Sequence, residues 1–275
     1  MQKNTPQDSL LGKESDYPST YAPELLFAIP RSNGRAELGI DDSLPFYGVD
    51  RWTAYELSWL NGKGKPQVAM AEFVVPCDSP CLIESKSLKL YLNSLNQSKY
   101  SEKQEVERLI GSDLSSCAGG DVTVNMSALR DKAGEFCNVS EYLCIDDLDV
   151  EINQYQPDSS QLGVDTQSQV SERLVSHLLK SNCPVTGQPD WASLFIDYSG
   201  ARIDHAGLLR YLISYREHMG FHEQCIEQIF MDIMRECAPL ELTVNARYLR
   251  RGGLDINPVR STQKDFQVIG RQVRQ

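Results

Sequence analysis

A thiol and a carboxylate bracket one short turn in Ser181-Asn182-Cys183-Pro184-Val185-Thr186-Gly187-Gln188-Pro189-Asp190-Trp191. A loop cysteine at a strand end becomes a nucleophile when a neighbouring charge, dipole or base favours its thiolate. Asp190 does not help Cys183 ionise, because a like charge raises a thiol pKa. The carboxylate suits a proton carrier for a group the sulfur has attacked. An alternative stays open on these residues alone: Cys183 packs under a hairpin and Asp190 caps its turn.

Two further segments carry candidate chemistry. Phe221-His222-Glu223 opens a helical pattern. There His222 could work as an acid-base group near neutral pH, and Glu223 could do no more than complement the helix dipole. Glu84-Ser85-Lys86-Ser87-Leu88-Lys89 opens another; Glu84 and Ser85 stand at the N-terminus, and Lys86 and Lys89 share a face. His177, His205 and His218 lack such company and receive no role. No G-x-G-x-x-G or Walker pattern occurs, so a nucleotide would be held without a Rossmann turn. Of eight cysteines, only Cys183 stands out. Cys77 and Cys81 have a spacing that could serve zinc, yet no matching downstream pair accompanies them, and no metal is expected.

The 275 residues carry a net charge of -11, with 41% hydrophobic and 24% charged residues. That charge disfavours nucleic acid, whose binding draws on Lys and Arg at phosphates. A small molecule is the expected partner. No signal peptide and no apolar run of about 20 residues is visible, so a cytoplasmic location and no membrane partner are expected.

These residues must be positioned by elements. Residues 1–45 read as an extended arm. Arg51–Leu60 and Gln67–Val75 read as strands joined by Asn61-Gly62-Lys63-Gly64. Helices follow at Ser85–Asn96 and Ser101–Ile110, the second with Ser101 as N-cap and Gln104 in a capping box. Val122–Met126 and Leu143–Ile152 read as strands. Residues 155–169 form a polar link. Ser171–Asn182 suits either a helix or a strand; the turn after it favours a strand into Ala192–Tyr198. Asp204 then caps a helix through Arg216, His222–Cys237 forms a long helix, and Leu240–Leu249 and Asp265–Ile269 read as strands. The expected fold class is α+β: residues 1–156 and 157–275 each hold a ββααββ unit, a four-stranded antiparallel sheet with two helices on one face. Open sheet edges point to a homo-oligomer.

Together the three motifs, in this order, resemble the NADPH-dependent 7-cyano-7-deazaguanine reductase family, the nitrile reductases of queuosine biosynthesis. The likeness extends to Leu26-Phe27-Ala28-Ile29-Pro30-Arg31 and to Arg251-Gly252-Gly253-Leu254-Asp255-Ile256-Asn257-Pro258. It implies two tandem tunnelling-fold units and reduction of a deazapurine nitrile to an aminomethyl product with two NADPH. By the same resemblance Cys183 forms a covalent thioimide, Asp190 protonates its nitrogen and His222 assists. Glu84 and Glu223 would grip the base and Phe221 would lie against its ring. Ser85, Lys86, Lys89, Arg251 and Gly252 would contact the cofactor. The resemblance also implies an active site where the two units meet, in a homodimer or larger assembly. A zinc-dependent pterin-type enzyme of the same fold and a non-catalytic purine-binding protein are the rival readings.

Overall fold

In the computed structural model, residues 5, 8, 9, 17–41, 43–132 and 136–275 are described. The chain divides into two units, and among the described residues one draws on Met1–Glu37, Val49–Glu135 and Arg250–Ile256. It begins with β1 (Ala28–Pro30) and α1 (Ser32–Glu37), followed by β2 (Tyr47–Leu60) and β3 (Pro66–Pro76). Alternation alone cannot put Trp52, Ala54, Leu57 and Trp59 on one face, because the parity changes between Ala54 and Leu57. A bulge at that point resets the register, so Trp52 opposes Phe73, Ala54 opposes Ala71 and Leu57 opposes Ala69. All seven enter one core cluster.

Next come β4 (Cys81–Ile83), which pairs with β1, then α2 (Ser85–Ser94), α3 (Lys103–Ala118) and β5 (Thr123–Ser127), which pairs with β3. Helix α2 presents Leu88, Leu92 and Leu95 to the cluster, and α3 presents Val106, Ile110, Leu114 and Ala118. This i, i+4 spacing is one helical stripe. Burying each of the larger aliphatic side chains contributes roughly 1.5–3 kcal/mol.

The other unit draws on Leu38–Gly48, Phe136–Leu249 and Asn257–Gln275. Its elements are β6 (Leu143–Cys144), β7 (Val164–Asn182), β8 (Pro189–Ile203), α4 (His205–Ser214), α5 (His222–Cys237), β9 (Glu241–Tyr248) and β10 (Leu254–Ser261). The first three residues of β10 belong to the unit described above. Its strands lie in the order β10-β9-β8-β7-β6, antiparallel except for the parallel pair β6–β7. Asp204 caps α4, its carboxylate accepting from Ala206 N and Gly207 N at 3.1 Å each.

The α+β class and the repeated order strand, strand, helix, helix, strand are as the sequence indicates. Five details differ. The polar link expected at 155–169 is cut short, because β7 already begins at Val164. The stretch 1–45 contains β1 and α1 in its described part; the remainder lies outside the described residues. Helix α3 is capped at Glu102, not Ser101, and runs on to Ala118; Glu105 reaches back to Ser101 N at 3.1 Å instead of a Gln104 box. The expected strand Leu143–Ile152 shrinks to two residues that pair with β7. Its acidic run supplies poor strand formers, and Asp146 spends a carboxylate oxygen on His177 N at 2.9 Å. Asp265–Ile269 is irregular, and the final strand is β10. Pro258 hides that strand from a sequence reading, since a proline cannot donate to a ladder.

Candidate functional site

Strands β7 and β8 meet at the Cys183 turn. Ser181 pairs with Asp190 and Asn182 with Pro189. The six residues between are closed by Cys183 N donating to Gln188 O at 2.9 Å and Gly187 N to Cys183 O at 3.0 Å. Paired residues share a face and alternate residues return to it, so Ser181, Asp190 and, by continuation, Cys183 belong to one side. All three are buried: Cys183 is 7% exposed and Asp190 4%.

Helix α5 is delivered to the same strand end. Asn182 N donates to His218 O at 2.8 Å, and Gly220 N donates to Asn182 O at 3.1 Å. Gly220 eases the approach: a Cβ there would lie 2.9 Å from His218 Nε2 and 3.1 Å from Cys225 Sγ, so those side chains would have to shift. Phe221 is the N-cap residue, its N–H donating to Gln224 Oε1 at 3.4 Å. His222 follows as the first helical residue and Glu223, also buried, as the second. His222 Nε2 stands 3.4 Å from Asp190 Oδ2. The other side of the imidazole lies flat on Tyr248, with centroids 3.7 Å apart and planes 6° apart.

Beside this pair lies a cluster of buried polar side chains that the sequence did not disclose. Ser181 Oγ and the Tyr248 hydroxyl are sealed from solvent without a well-formed hydrogen bond. Burial pushes the Cys225 thiol up to about 12; Ser181 acts the other way, and the charges of Asp190 and Glu223 add to the rise. Burial likewise holds the Tyr248 phenol well above its ordinary value, with Cys225 and Asp190 adding to it. Ser181 and Cys225 could have been suspected from their spacing, two before Cys183 and three after His222. No local signal marks Tyr248.

The remaining predicted residues lie in the other unit. Glu84 is buried and caps α2, its two oxygens accepting from Lys86 N at 2.7 Å and Ser87 N at 2.8 Å. Ser85, Lys86 and Lys89 are half-buried on the same helix. Arg251 N donates to Leu254 O at 2.8 Å, closing a turn whose Gly252 and Gly253 have φ of 59° and 80°. Two consecutive positive φ values select glycine. A Cβ at Gly252 would touch Lys89 Cδ and Cε at 3.2 Å. Lys89 and Gly252 are thereby brought together, while Glu84 caps its own helix.

Among the described residues, one set of potential metal ligands has its atoms within 4.8 Å of one another: Cys144, Asp146 and His177. Arg274 flanks it, donating to His177 O at 3.2 Å and to Ser193 Oγ at 3.1 Å. It contains none of the residues singled out in the sequence, and Cys77 and Cys81 join no such set.

Comparison with known proteins returns two family matches. The family described as "Nitrile reductase, 7-cyano-7-deazaguanine-reductase N-term" matches residues 17–126, and "QueF-like protein" matches 189–267. A protein of Stenotrophomonas maltophilia (strain R551-3) named NADPH-dependent 7-cyano-7-deazaguanine reductase is 57% identical over 264 residues, covering 94% of each chain. Proteins of the same name from Azoarcus sp. (strain BH72) and Cupriavidus necator are 57% and 54% identical. They cover 94% and 93% of this chain, and 92% and 94% of their own.

Proposed function

This chain belongs to the 7-cyano-7-deazaguanine reductase family of nitrile reductases, and we propose that it reduces 7-cyano-7-deazaguanine to the aminomethyl base with NADPH. The observation that carries this reading is the pairing of Asp190 with His222 at 3.4 Å, on the turn that Cys183 opens.

The chemistry requires such an arrangement. A nitrile carbon is a weak electrophile, and hydride adds to it poorly. The Cys183 sulfur bonds to that carbon, one π bond of the triple bond breaks, and Asp190 delivers a proton to the nitrogen. The thiol's proton passes to the His222–Asp190 pair, so the thioimide forms without net change in protons. NADPH supplies two hydrides when bound, as four-electron reduction of a nitrile to an amine demands. Cys183 leaves after the first reduction and takes a proton back from the His222–Asp190 pair; the second hydride reduces the imine, and the two protons that the amine gains with the hydrides come from water through the same pair. Holding sulfur and carboxyl on one stiff turn makes attack and protonation intramolecular.

Glu223, buried beside His222, is suited to accept from the N–H edge of the base, and Phe221 to lie against its ring. Glu84 is proposed for the same edge, with the lone pairs its cap leaves over. The residues near Gly252 suit a phosphate-bearing cofactor: the missing Cβ lets Lys89 lie against the turn, and Ser85, Lys86 and Arg251 add donors. A homodimer or larger homo-oligomer, in the cytoplasm, acting on the free base rather than on nucleic acid, completes the proposal. The net charge of -11 supports the last point. For assembly, the support is that β5 and the two-residue β6 are terminal strands with an open edge.

The test follows NADPH absorbance with the nitrile base. Two NADPH oxidised per amine formed is expected, together with a base-sized mass adduct when NADPH is withheld. An adduct that persists in Cys183→Ala, or no oxidation at all, would refute the proposal.

A further inference from the structure

We infer that Tyr248 is the positioning residue for His222, and that Gln275 fixes Tyr248 from the far side of the strand. The inference rests on the proposed reduction and goes beyond it, since nothing in the sequence motifs points to either residue.

An imidazole at a helix start has free rotation about two side-chain bonds, and only packing can hold its Nε2 toward one partner. Asp190 Oδ2 approaches Nε2 at 3.4 Å. The Tyr248 ring offers a whole face, at 3.7 Å and 6° from parallel. Tyr248 is 0% exposed and its hydroxyl makes no well-formed hydrogen bond, so the phenol contributes chiefly its plane. Register places it correctly: Tyr248 opposes Ala192, two residues beyond Asp190 on the same face of β8.

The backbone of Tyr248 is in turn unusually constrained. Its N–H donates to Asn257 Oδ1 at 3.0 Å. Its carbonyl accepts from Gln275 Nε2 at 2.9 Å, and the same amide nitrogen donates to Asn257 Oδ1 at 2.9 Å. Gln275 Oε1 accepts from Arg247 Nε at 2.9 Å and Gln272 N at 3.0 Å. One glutamine amide thus ties three segments around the end of β9. A side chain with every polar atom engaged is a precise anchor. The resulting relay is short: Gln275 and Asn257 fix Tyr248, Tyr248 fixes the plane of His222, and His222 meets Asp190.

The experiment compares Tyr248→Phe, Tyr248→Leu and Gln275→Ala with the unmodified enzyme by steady-state kinetics, with base binding measured separately by calorimetry. Misplacing a catalytic group by about 1 Å can cost on the order of 100-fold. Tyr248→Leu is expected to lower kcat by about that factor with KM and base affinity nearly kept. Tyr248→Phe, which keeps the ring, should retain most of the rate, and Gln275→Ala should fall between. An unchanged kcat in Tyr248→Leu overturns the inference. So does a parallel loss of base affinity and melting temperature, which marks Tyr248 as core packing only. If the unmodified enzyme itself oxidises no NADPH with the nitrile, it is the proposed reduction that fails.

Discussion

Asp190 and Cys183 do different work, and their variants should separate. Asp190→Asn keeps the shape and loses the proton. Reduction is expected to fall by about 10²–10⁴-fold, the usual range for a lost general acid. Base binding should change little, and isothermal titration against turnover measures the split. Equal loss of both would make Asp190 a structural residue. Cys225 gives a second residue-scale prediction. With its thiol pushed up to about 12, it stays protonated at neutral pH. In the folded protein, iodoacetamide at pH 7.5 should leave Cys225 unlabelled by mass spectrometry. Labelling there before unfolding would contradict the burial described.

At the scale of elements, the two units repeat more deeply than their order of strands and helices. Glu84 caps α2 as Asp204 caps α4. Tyr91 donates to Asp113 at 2.6 Å, and Tyr211 donates to Asp232 at 2.6 Å. Ser94 bonds back to Tyr91 O as Ser214 does to Tyr211 O, each at 2.6 Å. Val106, Ile110, Leu114 and Ala118 of α3 correspond to Cys225, Ile229, Ile233 and Cys237 of α5, all buried. Removing Asp113 takes the acceptor from Tyr21 and Tyr91, and removing Asp232 takes the carboxylate from Tyr211, so Asp113→Ala and Asp232→Ala should each cost about 1–3 kcal/mol in urea unfolding. A large loss from one and none from the other would break the equivalence.

These correspondences also explain what could be read in advance. Hairpins, helix stripes and the Asp204 cap follow from local pattern, and the Cys183 and His222 motifs stand in contiguous sequence. The fourth strand expected for the first repeat was misread: Leu148 and Val150 keep the alternation of a strand, but only Leu143 and Cys144 pair, and they pair with β7. Tyr248 and Gln275 were invisible for a different reason: their link to His222 is made by strand register and by side-chain hydrogen bonds across distant segments, which no short window contains.

For the whole molecule, burial of uncharged thiols in both units sets an alkaline limit. Cys117 in the first unit and Cys225 in the second rise from an ordinary 9.0 to about 12, and Cys237 to about 11, in each case chiefly by burial. A group whose folded pKa is raised stabilises fully below its unfolded value, and that contribution is lost as pH rises toward the folded one. Stability should therefore be insensitive to these groups up to about pH 8.5 and decline between there and about 12. Denaturant midpoints taken across that window check it; a midpoint that climbs with pH would contradict the sign. Buried ion pairs set a second limit. Arg31 meets Asp50 at 2.6 Å with both almost fully enclosed. Asp50→Ala strands a cation and should cost about 3–5 kcal/mol.

Gly220 carries a lesson for anyone who randomises this protein in search of new substrates. Since even one added carbon would press on the side chains of both His218 and Cys225, selection for turnover is expected to disfavour larger residues at position 220. The position will then score as intolerant on grounds of packing. An intolerance map read without coordinates would place it in the reaction; its contribution is room.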